Sequence, residues 1–538
     1  MTPPAAPETM SPSASTTTEV AAVSPEGMAV NDLRLIVPRS TRTCTPKTKT
    51  RAIGALCVLA AAGILYAATF TPLALEQLQR LQRHRPPPPA PPPSPAPLSF
   101  LIMTDWHNTP TYSNQYGHQC GCRSDLARPS CKRDQPASVF GQYRCDGPPE
   151  LIKASLDAAV AVMPHPDVVF ILGDLVTHNA GSLEVDRAVF QNTSALVADK
   201  FDGRSTRACQ VPLGNNDVYP NYFTDTSAPQ QYAFQAQVAR EHCGLDEATA
   251  AVFARNGYYN VTLRGGAVKV LVLNTNALAY VNRPGGPKEP ASVDETDPFG
   301  QFAWMDAQFA DAEAHGMVVH IQAHIAPALD SFARSPAWQP RYAERYWELV
   351  GKWAHVLAGH FFGHWHTREV RAVADAPPGS ALAKAPALQL LCALSPIYLN
   401  NPVFYTAELS PASLRVERFY SHTLDLASVG DYPAFVAEEM VYPPRGMSNE
   451  GWSELAESWH DSASSPTPGD DSFRAFFRQF KAGHSGTMQC NATTDTFQDC
   501  ATCTLGCRTS FACLATYGRN ASGYQHCMQV HGYPYGSA

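Results

Sequence analysis

The sequence is poor in charged residues, and basic residues are scarcer than acidic ones. Only 16% of its 538 residues are charged, with 40 Lys and Arg against 48 Asp and Glu and a formal net charge of −8. This balance excludes the basic surface by which nucleic-acid-binding proteins contact phosphates, so we expect no nucleic-acid recognition. A polyanionic substrate would need bound metal ions to supply positive charge. The hydrophobic fraction of 44% is sufficient for a large buried core.

The first part of the chain has few large apolar side chains until a long uncharged run begins. Residues 1–51 begin with a stretch rich in Ser, Thr, Pro and Ala and are predicted to be a disordered cytosolic tail. Residues 52–75 carry no charge and are numerous enough to span a bilayer. We predict a transmembrane signal anchor there, with a buried core helix and a cleaved signal peptide as alternatives. Residues 76–97 contain RPPPPAPPPSPAP, which predicts a stiff proline-rich spacer.

The chain beyond the apolar segment has the features of a protein that folds in an oxidising compartment. All fifteen cysteines except Cys44 and Cys57 lie there, which leaves an odd number and therefore at least one unpaired or intermolecular thiol. Four N-glycosylation acceptors also lie there, at Asn192, Asn260, Asn491 and Asn520. Together with the modest basic flank of the apolar segment, these features predict a single-pass type II membrane protein whose main domain is lumenal or extracellular.

Short apolar runs alternate with helical stretches from residue 98 onward. Each run is strand-like in length and β-branching, and polar residues follow it: LSFLIM then TDWH, DVVFIL then GDLVTHN, CQVPL then GNND, VKVLVLN then TN, MVVHIQ then AHIAP, and HVLAGHFF then GHWH. Helices are predicted at 148–162, 299–314 and 341–352. The pattern indicates a layered α/β domain. Further strands near 386–393, 402–409 and 413–419 are predicted to extend a second sheet.

Cysteine-rich stretches lie at both ends of this domain. Residues 421–538 end in CATCTLGC and further cysteines; a zinc knuckle is one interpretation, but in a lumenal chain we favour a disulfide-stapled C-terminal cap. Near the first strand end, a basic cluster is interspersed with cysteines at 120, 122, 131 and 145. Its members are Arg123, Arg128, Lys132 and Arg133. The cluster either contacts a polyanion or is a solvated, disulfide-stapled loop.

Side chains suited to metal binding stand at the predicted strand ends. They are Asp105, His107, Asp174, Asn215, His324, His364 and His366. The set contains carboxylate, amide and imidazole groups and no thiolate, which suits hard or borderline divalent cations. Glycine precedes three of these turns and lets the backbone approach an ion closely. His360 lies inside a predicted strand, and we interpret it as a packing residue.

The order D-x-H, GD, GN, H and GHxH resembles the calcineurin-like metallophosphoesterases over residues 98–420. SVFGQYRCDGPPELIKASLDAA, LNTN, FAWMDAQFADA, FFGHWHTREV and LSPIYLNNPVF resemble the acid sphingomyelinase branch, and PLGNNDVYPNYF resembles the endopolyphosphatases within it. The resemblance implies a metallophosphoesterase four-layer α/β/β/α sandwich. It also implies two divalent metal ions, with Zn favoured and Mn, Co or Mg as alternatives.

The same resemblance implies a ligand assignment. One ion would take Asp105, His107 and His366. The other would take Asn215, His324 and His364, and Asp174 would bridge the two. Two such ions can hold a phosphate between them and lower the pKa of a shared water, whose hydroxide attacks phosphorus.

The third motif lacks a histidine that most of this superfamily has. Asn216 stands in that place and can hydrogen-bond a phosphate oxygen, but it cannot donate a proton as a general acid. A phosphate leaving from an anhydride has a relevant pKa of about 6 and needs little protonation, whereas an alkoxide needs it. His178 matches a histidine of acid sphingomyelinases, and it is either a replacement acid or a supporting or surface residue.

Three functions fit these observations. The first, which we favour, is a membrane-anchored endopolyphosphatase of a vacuole- or lysosome-like membrane that hydrolyses internal phosphoanhydride bonds of polyphosphate. The second is an acid sphingomyelinase-like phosphodiesterase acting on nucleotides or phospho-headgroups. The third is a catalytically silent glycoprotein that kept the fold. Asn216, the match of GNND and a proline spacer in place of a lipid-binding saposin-like module favour the first, whereas the acidic composition opposes it.

Overall fold

A computed structural model describes residues 97–201, 207–286, 293–460, 468–483 and 505–533. The predicted tail, the anchor at 52–75 and nearly all of the proline-rich spacer lie outside these residues. No helix within the described ranges is both long enough and apolar enough to cross a membrane.

Two six-stranded sheets form the centre of the domain. The first has the order β12-β11-β10-β1-β2-β3 and consists of β1 (Leu98–Met103), β2 (Val168–Ile171), β3 (Arg207–Gln210), β10 (Val403–Leu409), β11 (Val416–Leu424) and β12 (Phe435–Glu439). The second has the order β4-β5-β6-β7-β9-β8 and consists of β4 (Tyr259–Leu263), β5 (Val268–Val272), β6 (Val318–Gln322), β7 (Leu357–Phe362), β8 (Glu369–Arg371) and β9 (Leu388–Leu390).

Parallel pairing brings the carboxyl ends of the central strands to one edge of each sheet. In the first sheet β1, β2 and β3 are parallel neighbours, and in the second sheet β5, β6, β7 and β9 are. Polar residues that follow these strands are therefore gathered at the edge, as the sequence predicts.

Helices accompany both sheets. They are α1 (Pro149–Val162), α2 (Leu183–Phe201), α3 (Ala233–Cys243), α4 (Glu247–Asn256), α5 (Gln301–Ala314), α6 (Pro340–Lys352), α7 (Ala381–Lys384), α8 (Asn449–Glu457), α9 (Pro468–Phe480), α10 (Leu505–Tyr517) and α11 (Ala521–Val530). The predicted helices at 148–162, 299–314 and 341–352 correspond to α1, α5 and α6.

The layers follow from the alternation of buried side chains along the strands. In β5, Val270 joins the apolar cluster that contains the first sheet, whereas Leu271 joins the cluster built with α5 and α6. Between the sheets, the Phe100 ring meets the His320 ring edge-on at 5.2 Å. Each large apolar side chain buried in this way stabilises the fold by about 1.5–3 kcal/mol. The result is a mixed α/β fold in which two sheets pack together and helices cover them.

The placement of the late strands differs from the prediction. The stretch 386–393 contains β9 of the second sheet, but assigning 402–409 and 413–419 to that sheet is wrong. β10 pairs antiparallel with β1, and β11 pairs with β10, so both extend the first sheet. That sheet continues to β12, and the predicted domain boundary at residue 420 falls inside β11.

The C-terminal segment packs on the domain through its own apolar cluster. Helices α8 to α11 contribute Trp452, Phe476, Phe511 and Tyr524, which pack together with Val370 of β8. A Cys513–Cys527 disulfide joins α10 to α11, and Cys507 is also disulfide-bonded. These bonds support the predicted stapled cap; the cysteines at 490, 500 and 503 lie outside the described residues.

The predicted glycosylation acceptors have different settings. Asn192 is exposed on α2, and Asn260 is partly exposed on β4. Asn520 is exposed and caps α11, because its side-chain oxygen accepts a hydrogen bond from the Gly523 amide. A glycan on Nδ2 would leave that oxygen free to cap the helix. Asn491 lies outside the described residues, and modification at all four positions stays a prediction.

Candidate metal centre

The seven predicted metal ligands converge at the carboxyl ends of five strands. Asp105 and His107 follow β1, Asp174 follows β2, and Asn215 lies a few residues after β3. From the second sheet, His324 follows β6, and His364 and His366 follow β7. The structure therefore brings together residues that lie up to 261 positions apart in the chain, as Asp105 and His366 do.

A first group of donors consists of Asp105, His107 and His366. The Nε2 atoms of the two histidines lie 3.1 Å apart, and His366 Nε2 lies 3.4 Å from Asp105 Oδ1. All three side chains are essentially inaccessible to solvent. Two imidazole nitrogens and a carboxylate oxygen that face one another in a buried space form a donor set that fits a divalent cation.

A second group lies beside the first. His324 Nε2 is 3.1 Å from Asn215 Oδ1 and 3.2 Å from His364 Nδ1. Asp174 stands between the groups, since its Oδ2 is 3.3 Å from His324 Nε2 and 3.5 Å from His107 Nε2. The geometry thus has two groups of donors with a carboxylate between them, and the residues fit two divalent ions.

Hydrogen bonds to the backbone fix which nitrogen each ring presents. His107 donates from Nδ1 to the Val176 carbonyl at 3.0 Å, and His324 donates from Nδ1 to the Leu172 carbonyl at 2.7 Å. In both rings Nε2 is then the nitrogen directed at the other donors. Such outer hydrogen bonds orient metal-binding histidines and raise their basicity.

Burial and charge act in opposite directions on the histidines of the cluster. Burial lowers the pKa of His107 to about 4 and that of His364 to about 3, which keeps these rings neutral and able to ligate. Burial also opposes the charged form of His324, but the Asp174 carboxylate outweighs burial and raises the pKa of that ring to about 9. The strong attraction between Asp174 and a positive charge at this position is what a cation site requires.

The backbone around the cluster is held in unusual conformations. Five of the seven predicted ligands have positive φ angles: Asp105, His107, Asp174, His364 and His366. Non-glycine residues adopt this region at a cost of about 1–3 kcal/mol each and are concentrated at functional sites. Glycine is required beside them, because a Cβ on Gly214 would lie 2.1 Å from Asp174 Oδ1, and one on Gly363 would lie 2.1 Å from Thr104 Oγ1.

Asp217 is a supporting residue that the sequence reasoning did not identify. Its carboxylate accepts hydrogen bonds from the backbone amides of Gly214, Asp174, Leu175 and Val176, at 2.8–3.2 Å. It therefore joins the turn that carries Asn215 to the turn that carries Asp174. Its position in GNND, directly after the two asparagines, was the available signal.

Asn216 and His178, the two residues that the sequence analysis discussed in connection with the general acid, both lie at the site. Asn216 donates from its backbone amide to Asp174 Oδ1 and from its side-chain amide to Asp174 Oδ2, each at 2.8 Å. His178 stacks on His107 with ring centroids 3.9 Å apart, and its side chain keeps 25% of its surface exposed. His178 is thus at the solvent-facing edge of the donor groups, whereas the Asn216 amide is engaged with the Asp174 carboxylate.

Asp146 is a second residue that the sequence reasoning missed. Its Oδ1 lies 2.8 Å from His178 Nδ1, and the carboxylate is largely buried. Burial disfavours the charged form of His178, but the Asp146 carboxylate outweighs this effect, and the pKa of His178 is raised above its ordinary value. Nothing local in RCDGPP indicates that this Asp reaches a histidine 32 residues later.

A cleft of about 540 Å³ opens beside the second donor group. It is lined by His364, Tyr222, Trp365, Phe332, Tyr398, Arg144, Lys481, Asp330, Ile397 and Leu399. Lys481 is buried, donates to the Tyr398 carbonyl at 3.0 Å and has its pKa lowered to about 8 by burial. The cleft therefore offers aromatic surfaces and two basic groups next to the predicted metal ligands.

Two remaining predictions concern residues near the cluster. His360 is fully buried in β7, where its Nδ1 faces the Tyr346 hydroxyl at 2.9 Å and its Nε2 faces the Pro386 carbonyl at 3.0 Å. Both ring nitrogens are used in packing, in agreement with its interpretation as a core residue.

Cys392 is a free, buried thiol within the described residues, which agrees with the odd cysteine count.

Comparison with known proteins finds phosphodiesterases among the relatives. No protein-family model matches the chain. The chain is 28% identical over 342 residues to acid sphingomyelinase-like phosphodiesterase 3b of Homo sapiens, covering 62% of this chain and 72% of the relative. It is 24% identical over 414 residues to cyclic GMP-AMP phosphodiesterase SMPDL3A of Homo sapiens, covering 75% of this chain and 86% of the relative.

A dimetal phosphatase structure from Danio rerio aligns with a TM-score of 0.36 at 12% identity, covering 64% of this chain and 99% of that chain. A score of this size does not by itself establish a shared fold. The similarity in sequence covers 62% of this chain for the first of these relatives and 75% for the second. The chain is therefore similar in sequence to acid sphingomyelinase-like phosphodiesterases over much of its length.

Proposed function

We propose that this protein is a metal-dependent phosphodiesterase of the acid sphingomyelinase-like type. The observation that carries the proposal is the convergence of two donor groups around Asp174, with His178 at their exposed edge. The curated relatives are phosphodiesterases by name and support the same class. They favour the phosphodiesterase interpretation of the sequence over the endopolyphosphatase interpretation.

The chain's own residues would perform distinct tasks in such a reaction. Two divalent ions bound at the donor groups would supply a hydroxide at neutral pH and neutralise charge on the phosphate. Asp105, His107 and His366 would hold one ion, and Asn215, His324 and His364 the other. Asp174 lies close to both groups and would bridge them, and Asn216 orients Asp174 through two hydrogen bonds.

His178 would protonate the leaving group. Its Nδ1 pairs with Asp146, and within the described residues no protein group is hydrogen-bonded to Nε2. The Asp146 carboxylate stabilises the protonated ring, which is the form that can give up a proton. An alcohol leaving from a phosphodiester needs that proton, so the absence of histidine at Asn216 does not disqualify diesters as substrates.

The cleft beside His364 favours a substrate with an organic group. Tyr222, Phe332 and Tyr398 offer apolar and aromatic surface there, and Tyr398 is 47% exposed. Arg144 and Lys481 add two basic groups and Asp330 adds one acidic group, so basic groups are in excess and suit a further anionic group. A phosphodiester that joins a phosphate to a planar or apolar substituent would use both features, whereas bare polyphosphate would use only the charges.

Hydrolysis of polyphosphate is the second candidate. Asn216 supports it, since this side chain cannot act as an acid and an anhydride leaving group requires little protonation. Lys132 and Arg133 could extend a basic track along the disulfide-stapled loop, where both are exposed. The acidic net charge of −8 opposes a long polyanion.

A substrate panel distinguishes the candidates. We expect the full chain with Zn, Mn, Co or Mg to hydrolyse bis-p-nitrophenyl phosphate and an alkyl phosphodiester. We also expect it to leave long-chain polyphosphate largely intact on a sizing gel. A ladder of shortened polyphosphate chains, with neither diester cleaved, would reverse the order of the two candidates.

Replacing His178 by Gln tests the assignment of the acid. On an alkyl phosphodiester we expect kcat to fall by about 10²–10⁴, the usual contribution of general acid catalysis. On bis-p-nitrophenyl phosphate the loss should be small, because p-nitrophenolate leaves without a proton. Initial rates on both substrates and metal content measured by mass spectrometry check this. His360→Gln, at a buried histidine outside the site, is the matched control for histidine replacement. Equal losses on both esters would contradict an acid role.

A further inference from the structure

The segment between β1 and α1 contains a disulfide whose two cysteines are each followed by a residue that contacts His178. Cys122 and Cys145 are bonded to each other. Arg123 follows the first cysteine and Asp146 follows the second. The stapled loop, whose sequence suggested either a polyanion contact or a solvated surface, therefore delivers two side chains to the edge of the candidate metal centre.

Asp146 fixes the ring and the amide of His178. Its Oδ1 lies 2.8 Å from the ring Nδ1, and its Oδ2 accepts from the His178 backbone amide at 2.9 Å. The same Oδ2 accepts from the Thr177 hydroxyl at 3.0 Å. One carboxylate, 7% exposed as a residue, thus determines the ring's rotation and the position of its backbone.

Arg123 fixes the other side of the same residue. Its Nη1 donates to the carbonyls of His178 and Asn179 at 3.2 and 3.0 Å. Its remaining donors are paired with the Asp125 carboxylate at 2.6 and 3.1 Å, which keeps the guanidinium in place. The backbone amide, the ring and the carbonyl of His178 are therefore all contacted from the stapled loop.

His178 depends on these contacts because no regular element holds it. It lies in a turn outside any helix or strand, and the next residue, Asn179, has a φ of +52°. His107 by contrast is anchored by its backbone amide, which donates to Asp174, and by its ring, which donates to Val176. Loosening the loop would therefore displace the predicted acid while the predicted metal ligands keep their own supports.

We propose that Arg123 and Asp146, joined through the Cys122–Cys145 disulfide, are positioning residues that hold His178 in line with the leaving group. The inference rests on the proposed function, since it assigns a support to the acid of that reaction. The disulfide keeps the two contacts on opposite sides of His178 at a fixed separation. The disulfide thereby sets how efficiently His178 protonates the leaving group, and it does not contribute to metal binding.

The loop contains its own control. A second disulfide, Cys120–Cys131, staples the same segment. The residues that follow its cysteines are Gly121 and Lys132, and within the described structure neither forms a backbone hydrogen bond or a β-bridge with residues 177–179. Removing either bond loosens the loop, but only removal of Cys122–Cys145 separates Arg123 from Asp146.

The experiment compares the variants on leaving groups of different basicity. Asp146→Asn, Arg123→Met and the double variant Cys122→Ser/Cys145→Ser are measured beside wild type and Cys120→Ser/Cys131→Ser. The substrates are bis-p-nitrophenyl phosphate, a series of less acidic aryl diesters and an alkyl diester. Melting temperature and bound metal are recorded for each protein, and Asp146→Glu is included as a conservative replacement.

We expect kcat of Asp146→Asn to fall about 10–100-fold on the alkyl diester, as for other outer residues that orient a catalytic group, and less than about 3-fold on the p-nitrophenyl ester. Arg123→Met and the Cys122/Cys145 double variant should follow the same pattern with smaller losses. Asp146→Glu should recover part of the activity on the alkyl diester. The Cys120/Cys131 control should stay close to wild type on both esters, and bound metal should not change.

Other outcomes distinguish failure of the positioning role from failure of the proposed function. If wild type cleaves both esters and the variants lose activity equally on both, the positioning role is wrong and the proposed function stands. Equal behaviour of the two disulfide variants also overturns the positioning role. If wild type cleaves neither ester, the proposed function and this inference fail together. Should the Cys122/Cys145 variant not fold, Asp146→Asn and Arg123→Met decide the question, since neither removes a covalent bond.

Discussion

Replacing Asp174 by Asn is expected to abolish turnover, with kcat lower by at least about 10³, the upper range for loss of one charge-stabilising group. Asp174 Oδ2 lies 3.3 Å from His324 Nε2 and 3.5 Å from His107 Nε2, so a single carboxylate faces both donor groups. An amide removes the negative charge and exchanges one acceptor oxygen for an NH₂ group. Neither ion would then keep its shared ligand.

The hydrogen bonds around Asp174 strengthen this expectation. Asn216 donates to both carboxylate oxygens at 2.8 Å. Whichever way the new amide is turned, one donor of Asn216 faces the NH₂ group. The side chain would rotate away or push Asn216 aside, and a pair of unmatched buried donors costs about 1–3 kcal/mol. The substitution therefore removes both the bridge and the geometry that supports it.

Asp186→Asn is the matched control for this substitution. Asp186 is a buried aspartate of α2, and burial raises its pKa to about 7, so that an uncharged amide is a mild replacement. We expect it to keep near-normal kcat and bound metal. Bound metal, rates on bis-p-nitrophenyl phosphate and circular dichroism are measured for both variants. A fully active, metal-loaded Asp174→Asn protein would eliminate the site as described.

The strand-end residues could be predicted from the sequence because each one is part of a local pattern. An apolar run ends, a glycine or polar turn follows, and the ligand stands directly after it, as at Asp174, Asn215 and His364. Parallel pairing of neighbouring strands then gathers these positions without further information. The predicted positions of the ligands therefore rest on short-range features, whereas their assignment to one ion or the other rests on the resemblance. The structure brings all seven side chains together.

The supporting residues could not be predicted in this way, because their partners are distant in sequence. Asp146 reaches His178 across 32 residues and Arg123 reaches it across 55. These contacts depend on the disulfides and hydrogen bonds that fold the loop back on itself. The prediction that β10 belongs to the second sheet is wrong for a similar reason. This strand pairs with β1, about three hundred residues earlier in the chain. The alternation of apolar residues in β10 does not indicate which sheet the strand joins.

Removal of metal ions is expected to abolish activity and also to lower the melting temperature by several degrees. Asp105 and Asp174 are both buried beside four histidines. Carboxylates without compensating charge cost several kcal/mol when buried, and in the absence of cations only imidazole protons can compensate. Ions that bind the folded chain at 100 times their dissociation constant stabilise it by about 2.7 kcal/mol. Chelator-treated protein is measured by scanning fluorimetry, then again after addition of Zn, Mn, Co or Mg.

The variants above make the chelation experiment decisive. His178→Gln and Asp146→Asn should show the full metal-dependent shift in melting temperature, because neither residue is a predicted ligand. Asp174→Asn should lose most of that shift, since it lacks the charge that both ions share. Restored activity should follow restored stability as metal is titrated back. A chelated protein with unchanged stability and undiminished activity would contradict the metal centre, because two buried carboxylates would then be compensated by the protein alone.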